Sequence, residues 1–158
     1  MEQLIDFLTI EITVFIVSMI PIIELRGAIP LGVSLGLSPI HATVLGITGA
    51  FLPAPFIIFF IRFIFRLLEK IKFFAVIIDK IVHGSATKQK KVNKYGFWGL
   101  VLIVAIPLPG TGVWTGSLVA TLLDLRARRA LPAIFIGNVI AGIILFVLSY
   151  STISFLSR

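Results

Sequence analysis

The sequence predicts an all-α integral membrane protein built as an inverted repeat. Each half is a re-entrant pair of half-helices followed by one spanning helix, and a basic interfacial helix joins the halves. Three observations lead there. Hydrophobic residues are 58% of the 158, mean hydropathy is +1.12 and charged residues are 13%, against roughly a quarter in soluble domains. Proline and glycine interrupt the apolar runs at matching places in the two halves. The net charge of +7 is concentrated in two basic clusters beside apolar runs.

The elements follow in order within a single membrane domain: repeat 1 over about 7–65, a connector over 66–94 and repeat 2 over about 95–156. Glu11–Pro21 and Leu25–Leu37 are too short to cross ~30 Å of hydrocarbon, which takes ~20 residues at 1.5 Å each. They are expected to form a hairpin of half-helices with its tip at Pro21–Pro30. His41–Ile61 is long enough to span, and Leu52-Pro-Ala-Pro55 within it predicts a kink. Arg62–Lys80 mixes an apolar run, Phe73–Ile78, with charges, as a helix lying in the membrane interface does. Gly84-Ser85 ends it, and Lys88–Lys94 forms a basic patch near lipid headgroups. In repeat 2, Phe97–Pro107 and Gly112–Leu123 are the half-helices and Arg129–Ser149 is the span. Met19-Ile-Pro21 is echoed by Ala105-Ile-Pro107, and Leu45–Gly49 by Ala133–Gly137, at offsets of 86 to 88 residues. A weak internal repeat of this kind marks many transporter folds.

Parity fixes a topology. A hairpin crosses the membrane zero times and a long helix once, so repeat 2 is inverted relative to repeat 1. Nine of the 14 Lys and Arg residues lie between Arg62 and Lys94, and three more at Arg126, Arg128 and Arg129. Hairpin parity brings both clusters to one side, where the positive-inside rule wants them. If each proline-broken stretch crossed once instead, the clusters would face opposite sides. A multi-pass protein of the cell (cytoplasmic) membrane is expected, with 62–94 and 124–129 cytoplasmic and both termini outside. The charge then marks topology and contact with membrane lipids; no nucleic-acid partner is expected. The acidic start, Met1–Asp6, is unlike the basic start of a signal peptide. With no cysteine, disulfides and thiolate metal sites are excluded.

Only Glu24, Arg26 and His41 can ionise between Ile12 and Ile61. A charge at membrane depth costs at least ~2.5–3.5 kcal/mol on the most lenient scale, so Glu24 and Arg26 call for a cavity, a partner or a task. A carboxyl in a low-dielectric site can take and release protons, and Arg26 offers an anion site. The other reading is a structural pair pinning the hairpin tip. At i and i+2 the two point apart on a regular helix, so they meet only where the chain is unwound. Pro30 closes this first candidate segment. The second tip, Pro107, Pro109, Gly110, Thr111, Gly112, Trp114 and Thr115, offers backbone amides, hydroxyls and an indole. Amides at a half-helix N-terminus can hold an anionic group, while Gly112-x-x-x-Gly116 also suits close helix packing. Asn138, opposite Ala50 in the repeat, is an interhelical bond or a ligand; His41 reads as interfacial. No Ser/His/Asp set, HExxH or phosphate loop occurs, so no enzyme activity, metal or cofactor is expected.

Glu24–Gly32 (ELRGAIPLG) and Pro107–Gly116 (PLPGTGVWTG) resemble the small multidrug export protein family, over nearly the whole chain. That family is more distantly similar to the DedA/SNARE-associated (VTT) membrane proteins. The latter carry two opposed re-entrant hairpins and are implicated in moving polyprenyl-phosphate and phospholipid. Glu24 matches the acidic residue of the DedA first hairpin. The arginines around Pro-Gly in its second hairpin are absent, since Ile106 and Gly112 stand there. The expected function is small-molecule export, proton-coupled through Glu24. The alternatives are a DedA-like lipid or polyprenyl-phosphate flippase or scramblase, and a non-transporting membrane scaffold. A homodimer is expected, because a monomer covers its broken backbone poorly. Gly32-x-x-x-Gly36 and Gly112-x-x-x-Gly116 are its candidate contact faces.

Overall fold

In hydrocarbon a backbone must satisfy its own polar groups, and a helix does so within one segment. The computed structural model describes residues 2–68, 86–108 and 110–156, with side chains over 5–64, 95–108 and 110–150. Every regular element among the described residues is a helix: α1 (Glu2–Met19), α2 (Glu24–Ser34), α3 (Pro39–Phe51), α4 (Pro53–Leu68), α5 (Ala86–Ala105), α6 (Val113–Leu122) and α7 (Ala127–Leu156).

Two paths are long and apolar enough to cross a bilayer, Pro39–Ile64 through α3 and α4, and Ala127–Tyr150 in α7. The first stays helical across its prolines. Leu52 keeps φ −55 and ψ −40, and its N–H reaches Thr48 O and Gly49 O, both at 3.2 Å. Pro53 and Pro55 each remove one ladder donor. Phe56, Phe59, Phe60 and Phe63 on α4 and Ile143, Val147 and Leu148 on α7 are exposed. So large an apolar surface is suited to lipid rather than water. This is a membrane protein.

The shorter helices differ from expectation at their starts. α1 begins at Glu2 and α5 at Ala86, well before Glu11 and Phe97. Polar residues there were expected to lie outside the helices, yet Lys and Gln are good helix formers and no proline or glycine intervenes before Gly96. Lys88–Lys94 is therefore the first part of α5. Most of the predicted interfacial helix falls on 69–85, outside the described residues.

One turn occurs twice, 88 residues apart. At the end of α2, Leu35 N bonds Leu31 O at 3.0 Å, Gly36 N bonds Val33 O at 3.1 Å and Leu37 N bonds Gly32 O at 2.9 Å. At the end of α6, Leu123 N bonds Val119 O at 2.9 Å, Asp124 N bonds Thr121 O at 3.0 Å and Leu125 N bonds Ala120 O at 2.9 Å. Gly36 (φ 99) and Asp124 (φ 49) take the left-handed position that closes such a helix end, and the leucine after each is buried. The following helices open alike, Ala42 N on Ser38 O and Ala130 N on Arg126 O, both at 3.0 Å. Close approaches recur too: Gly49 of α3 lies against Phe15 O and Ser18 of α1, and Gly137 of α7 against Val101 O and Val104 of α5.

Leu25, Ile29, Ile58, Leu100, Val104, Val113 and Ile134 form a core shared by α2, α4, α5, α6 and α7. The ends of the bundle are marked by polar contacts. Near the end of α4, Arg62 donates to Leu125 O and lies 3.9 Å from Asp124. At the start of α3, His41 Nε2 is 2.8 Å from Glu11 Oε1.

Three of the four motif glycines meet neighbours within the chain, and Gly36 meets nothing within 4 Å. Gly32 packs on Val14 and Ala42, Gly36 is a turn residue, Gly112 (φ 121) precedes α6, and Gly116 lies on Val104. The four-residue spacing presumes one continuous helix, but Gly36 and Gly112 sit just beyond helix ends. Neither motif therefore forms a stripe along one helix.

A Cβ at Gly49 meets the Phe15 carbonyl and Ser18, whereas one at Gly99 on α5 meets nothing within 4 Å. Gly49→Ala is expected to lose ~1–3 kcal/mol of stability through overpacking. Gly99→Ala is expected to gain ~0.5–1 kcal/mol from helix propensity. Thermal unfolding in mild detergent checks both; a lower midpoint for Gly99→Ala than for Gly49→Ala contradicts the packing described.

Candidate functional site

Four helix ends converge: α1 stops at Met19, α2 starts at Glu24, α5 stops at Ala105 and α6 starts at Val113. The first turn of an α-helix has N–H groups without intrahelical partners, and the last turn has such carbonyls. Each unmatched group in hydrocarbon costs several kcal/mol. The side chains at the two tips answer that need across the gap.

Glu24 is 4% exposed and left-handed at φ 44, with its N–H on Ile20 O at 3.0 Å. That conformation turns the carboxylate toward α6, where Oε1 accepts from Trp114 N at 3.2 Å. A carboxylate there also meets the positive end of the helix dipole. Gly112 stands directly behind, since a Cβ on it would fall on the Glu24 carboxylate. Both its φ of 121 and this approach require glycine.

Arg26 reaches the other way. Its Nη2 donates to Thr111 O at 2.9 Å and lies 3.9 Å from Glu24 Oε2. The carbonyl is the closer bond; the carboxylate is at the limit of an ion pair. The two charges do meet, because α2 begins at Glu24 and the left-handed residue breaks the regular i, i+2 geometry. Trp114 contributes its indole as well, Nε1 donating to Met19 O at 3.0 Å, a last-turn carbonyl of α1. Within the second tip, Thr111 Oγ1 is 2.6 Å from Ile106 O and accepts from Leu108 N at 3.1 Å, while Thr115 Oγ1 donates to Gly110 O at 2.8 Å.

Beside the tips is a small cleft of about 10 Å³, room for about one water molecule. Glu24, Arg26, Thr111, Gly112 and Asn138 supply its polar lining, and Val104, Ile106, Pro107, Ala141 and Leu145 much of its apolar lining. Asn138 is fully buried; Nδ2 donates to Ile47 O at 2.9 Å, tying α7 to α3, and Oδ1 has no hydrogen-bond partner.

The predicted residues separate accordingly. Glu24, Arg26, Pro107, Thr111, Gly112 and Asn138 line the cleft, while Gly110, Trp114 and Thr115 hold its tips by hydrogen bonds. Pro30 lies inside α2 at an exposed position, away from the cleft. Pro109 lies outside the described residues. His41 is at the far end, with Glu11 and the Phe7 ring. Ala141 and Leu145 were missed, although they follow Asn138 at helical spacing, the signal that places them on its face. Met19 contributes through its carbonyl alone, which no side-chain pattern reveals. Among the described residues no group of three or more His, Cys, Asp or Glu could hold a metal ion.

A family model described as "Putative small multi-drug export protein" matches residues 24–144. The match begins at Glu24 and takes in most of the first tip, the second tip and Asn138. No curated protein and no solved structure matches the chain.

Gly112→Ala and Gly110→Ala separate two effects. Both residues have positive φ, but only at Gly112 does an added Cβ meet Glu24. Each is expected to lose ~1–3 kcal/mol from positive-φ backbone, and Gly112→Ala a further ~1–3 kcal/mol from the clash. A Glu24→Ala background should remove the further loss. Unfolding midpoints of the singles and the double variant check this, and equal losses for the two glycines would contradict it.

Proposed function

The chain belongs to the small multi-drug export family, and on that premise we propose a proton-coupled exporter of small molecules whose cleft lies between two re-entrant hairpins. Glu24 carries the reading. A carboxylate 4% exposed, in an apolar chain, where two broken helices meet, is the arrangement by which many transporters hold a coupling ion and a substrate near the bilayer midplane. Ionised, Glu24 is matched by the Trp114 amide and by Arg26; protonated, it loses that attraction. Exchange of a proton for a substrate would thus change the charge beside the cleft at the step where the hairpins must loosen.

Helix length supports the hairpins in their second arms alone, since α1 and α5 have 18 and 20 residues and are longer than half-helices. α2 has 11 residues and α6 has 10, or about 15 Å each, half of the ~30 Å hydrocarbon layer. The recurrence of the α2 turn at the end of α6 supports two related halves, inverted by parity, with α1–α2 entering from outside and α5–α6 from the cytoplasm. Arg62, Asp124 and Leu125 meet at one end of the bundle, and Arg126, Arg128 and Arg129 follow directly. The positive-inside rule assigns that end to the cytoplasm. A homodimer remains part of the proposal. Ile22 at the first tip is 86% exposed, and a second copy would cover it.

Glutamine at position 24 can still accept from Trp114 N but does not ionise. Glu24→Gln is expected to fold normally and to lose proton-driven ethidium flux in proteoliposomes, down to the protein-free rate. Unchanged gradient-driven flux in the folded variant removes Glu24 from the mechanism. A purely structural pair would instead show Glu24→Gln and Arg26→Gln losing similar stability.

The native chain has no cysteine, and Arg128 is exposed near the start of α7. Arg128→Cys is expected to react with a membrane-impermeant maleimide only from the cytoplasmic side. Labelling from outside intact cells would overturn the topology.

A further inference from the structure

We propose that the cleft holds one ordered water between Glu24 Oε2 and Arg26, and that this water hands Glu24 its proton. This rests on the proton coupling proposed for Glu24 and names the group that delivers the proton. Glu24 is 4% exposed, so the groups packed around it decide how a proton arrives. Those that meet its carboxylate are the N–H groups of Trp114 and Val113 and the Arg26 guanidinium. Peptide N–H groups do not ionise near neutral pH, and a guanidinium keeps its protons throughout. The Trp114 indole is spent on Met19 O, and Thr111 Oγ1 on the Ile106 and Leu108 carbonyls of its own tip. None of these groups is free to give Glu24 a proton.

The cleft has the size and the lining for a molecule that is. Its volume of about 10 Å³ is room for one water, where roughly two to four polar groups meet it. Glu24, Arg26 and Thr111 all line it. Arg26 Nη2 and Glu24 Oε2 are 3.9 Å apart, too far for a hydrogen bond and close enough for one water to bridge. Both have capacity to spare. Arg26 spends a donor on Thr111 O and has several more, and a carboxylate oxygen accepts more than one bond. Donation from Arg26 to the water oxygen turns the water's hydrogens toward Oε2. The water passes one proton to Oε2 while it accepts another from a hydronium at the rim, which leaves a neutral carboxyl and two neutral waters. Ile106 lines the cleft and is 46% exposed, so the cleft reaches the protein surface. Among the described residues Arg26 is the only other ionisable side chain in the lining, and its charge is the same before and after the step.

Infrared difference spectra between acid and alkaline pH, on the full chain in lipid nanodiscs, read the carboxyl and the water together. The wild-type chain is expected to show a carboxylic C=O band and a sharp O–H stretching band that shifts in oxygen-18 water. Glu24→Gln is expected to abolish both. Ala141→Val, which adds bulk to the cleft wall without changing its charge, is expected to keep the carboxylic band and lose the water band. After a pH jump its carboxylic band is expected to appear about a hundredfold more slowly than in the wild-type chain, the low end for loss of a positioned proton donor. Val104→Ile, at another lining position, serves if Ala141→Val does not fold. A wild-type chain without the water band overturns the proposal, as does a water band retained in Glu24→Gln or in a folded, cleft-filled variant. An unchanged rate after the water band is lost overturns the delivery step. Glu24-dependent flux with no water band would leave the transport reading standing and this one overturned. Both bands without proton-driven flux would do the reverse.

Discussion

The ends of α1, α2, α5 and α6 all lie at the two tips, inside a chain whose outer surface is hydrocarbon. The tips supply partners to each other. Glu24 accepts from the α6 amide of Trp114, the Trp114 indole donates to the α1 carbonyl of Met19, and Arg26 donates to the Thr111 carbonyl. Each hairpin end is satisfied by side chains of the other. The polar residues that complete the fold are therefore also those that line the cleft.

This mutual capping explains why the site is compact and shared between distant parts of the chain. Arg26 and Thr111 are 85 residues apart, Glu24 and Trp114 are 90, and Met19 and Trp114 are 95. On the proposed transport reading, a substrate entering between the tips would compete with bonds that also join the helices. Binding and helix movement would then be coupled through the same few hydrogen bonds.

Much of this was legible in the residues. The scarcity of charge and the lengths between prolines identified the two long apolar paths, and Glu24 and Arg26 stood out because few other groups in the first half ionise. Asn138 was legible as an amide in an apolar run, and it does bond across to α3. Other features were not legible. Lysines 88 to 94 read as a surface patch because their charge masked their helix propensity. The glycine stripes read as contact faces because spacing alone does not say where a helix ends. The left-handed φ of Glu24 and the indole bond to Met19 O are products of long-range closure, and no local pattern encodes them. The role of Gly112 could be read as packing or flexibility, but not as room for a carboxylate from the other hairpin.

That room bears on symmetry. Glu24 and Gly112 lie 88 residues apart, the offset that relates the two turns after α2 and α6, and both have positive φ just where their half-helix begins. Related halves would bring these two positions face to face, and a Cβ on Gly112 would in fact touch the Glu24 carboxylate. Two acidic residues could not occupy that contact, because like charges so close in a poorly solvated site repel strongly. One position must give up its side chain for the other to keep a carboxylate. The arginine follows the same logic, since position 114, the counterpart of Arg26, is a tryptophan whose backbone N–H serves Glu24. A frame of two similar halves therefore holds a single acid and a single base, both from the first hairpin. The second hairpin contributes backbone, hydroxyls and an indole, which receive that charge without adding to it.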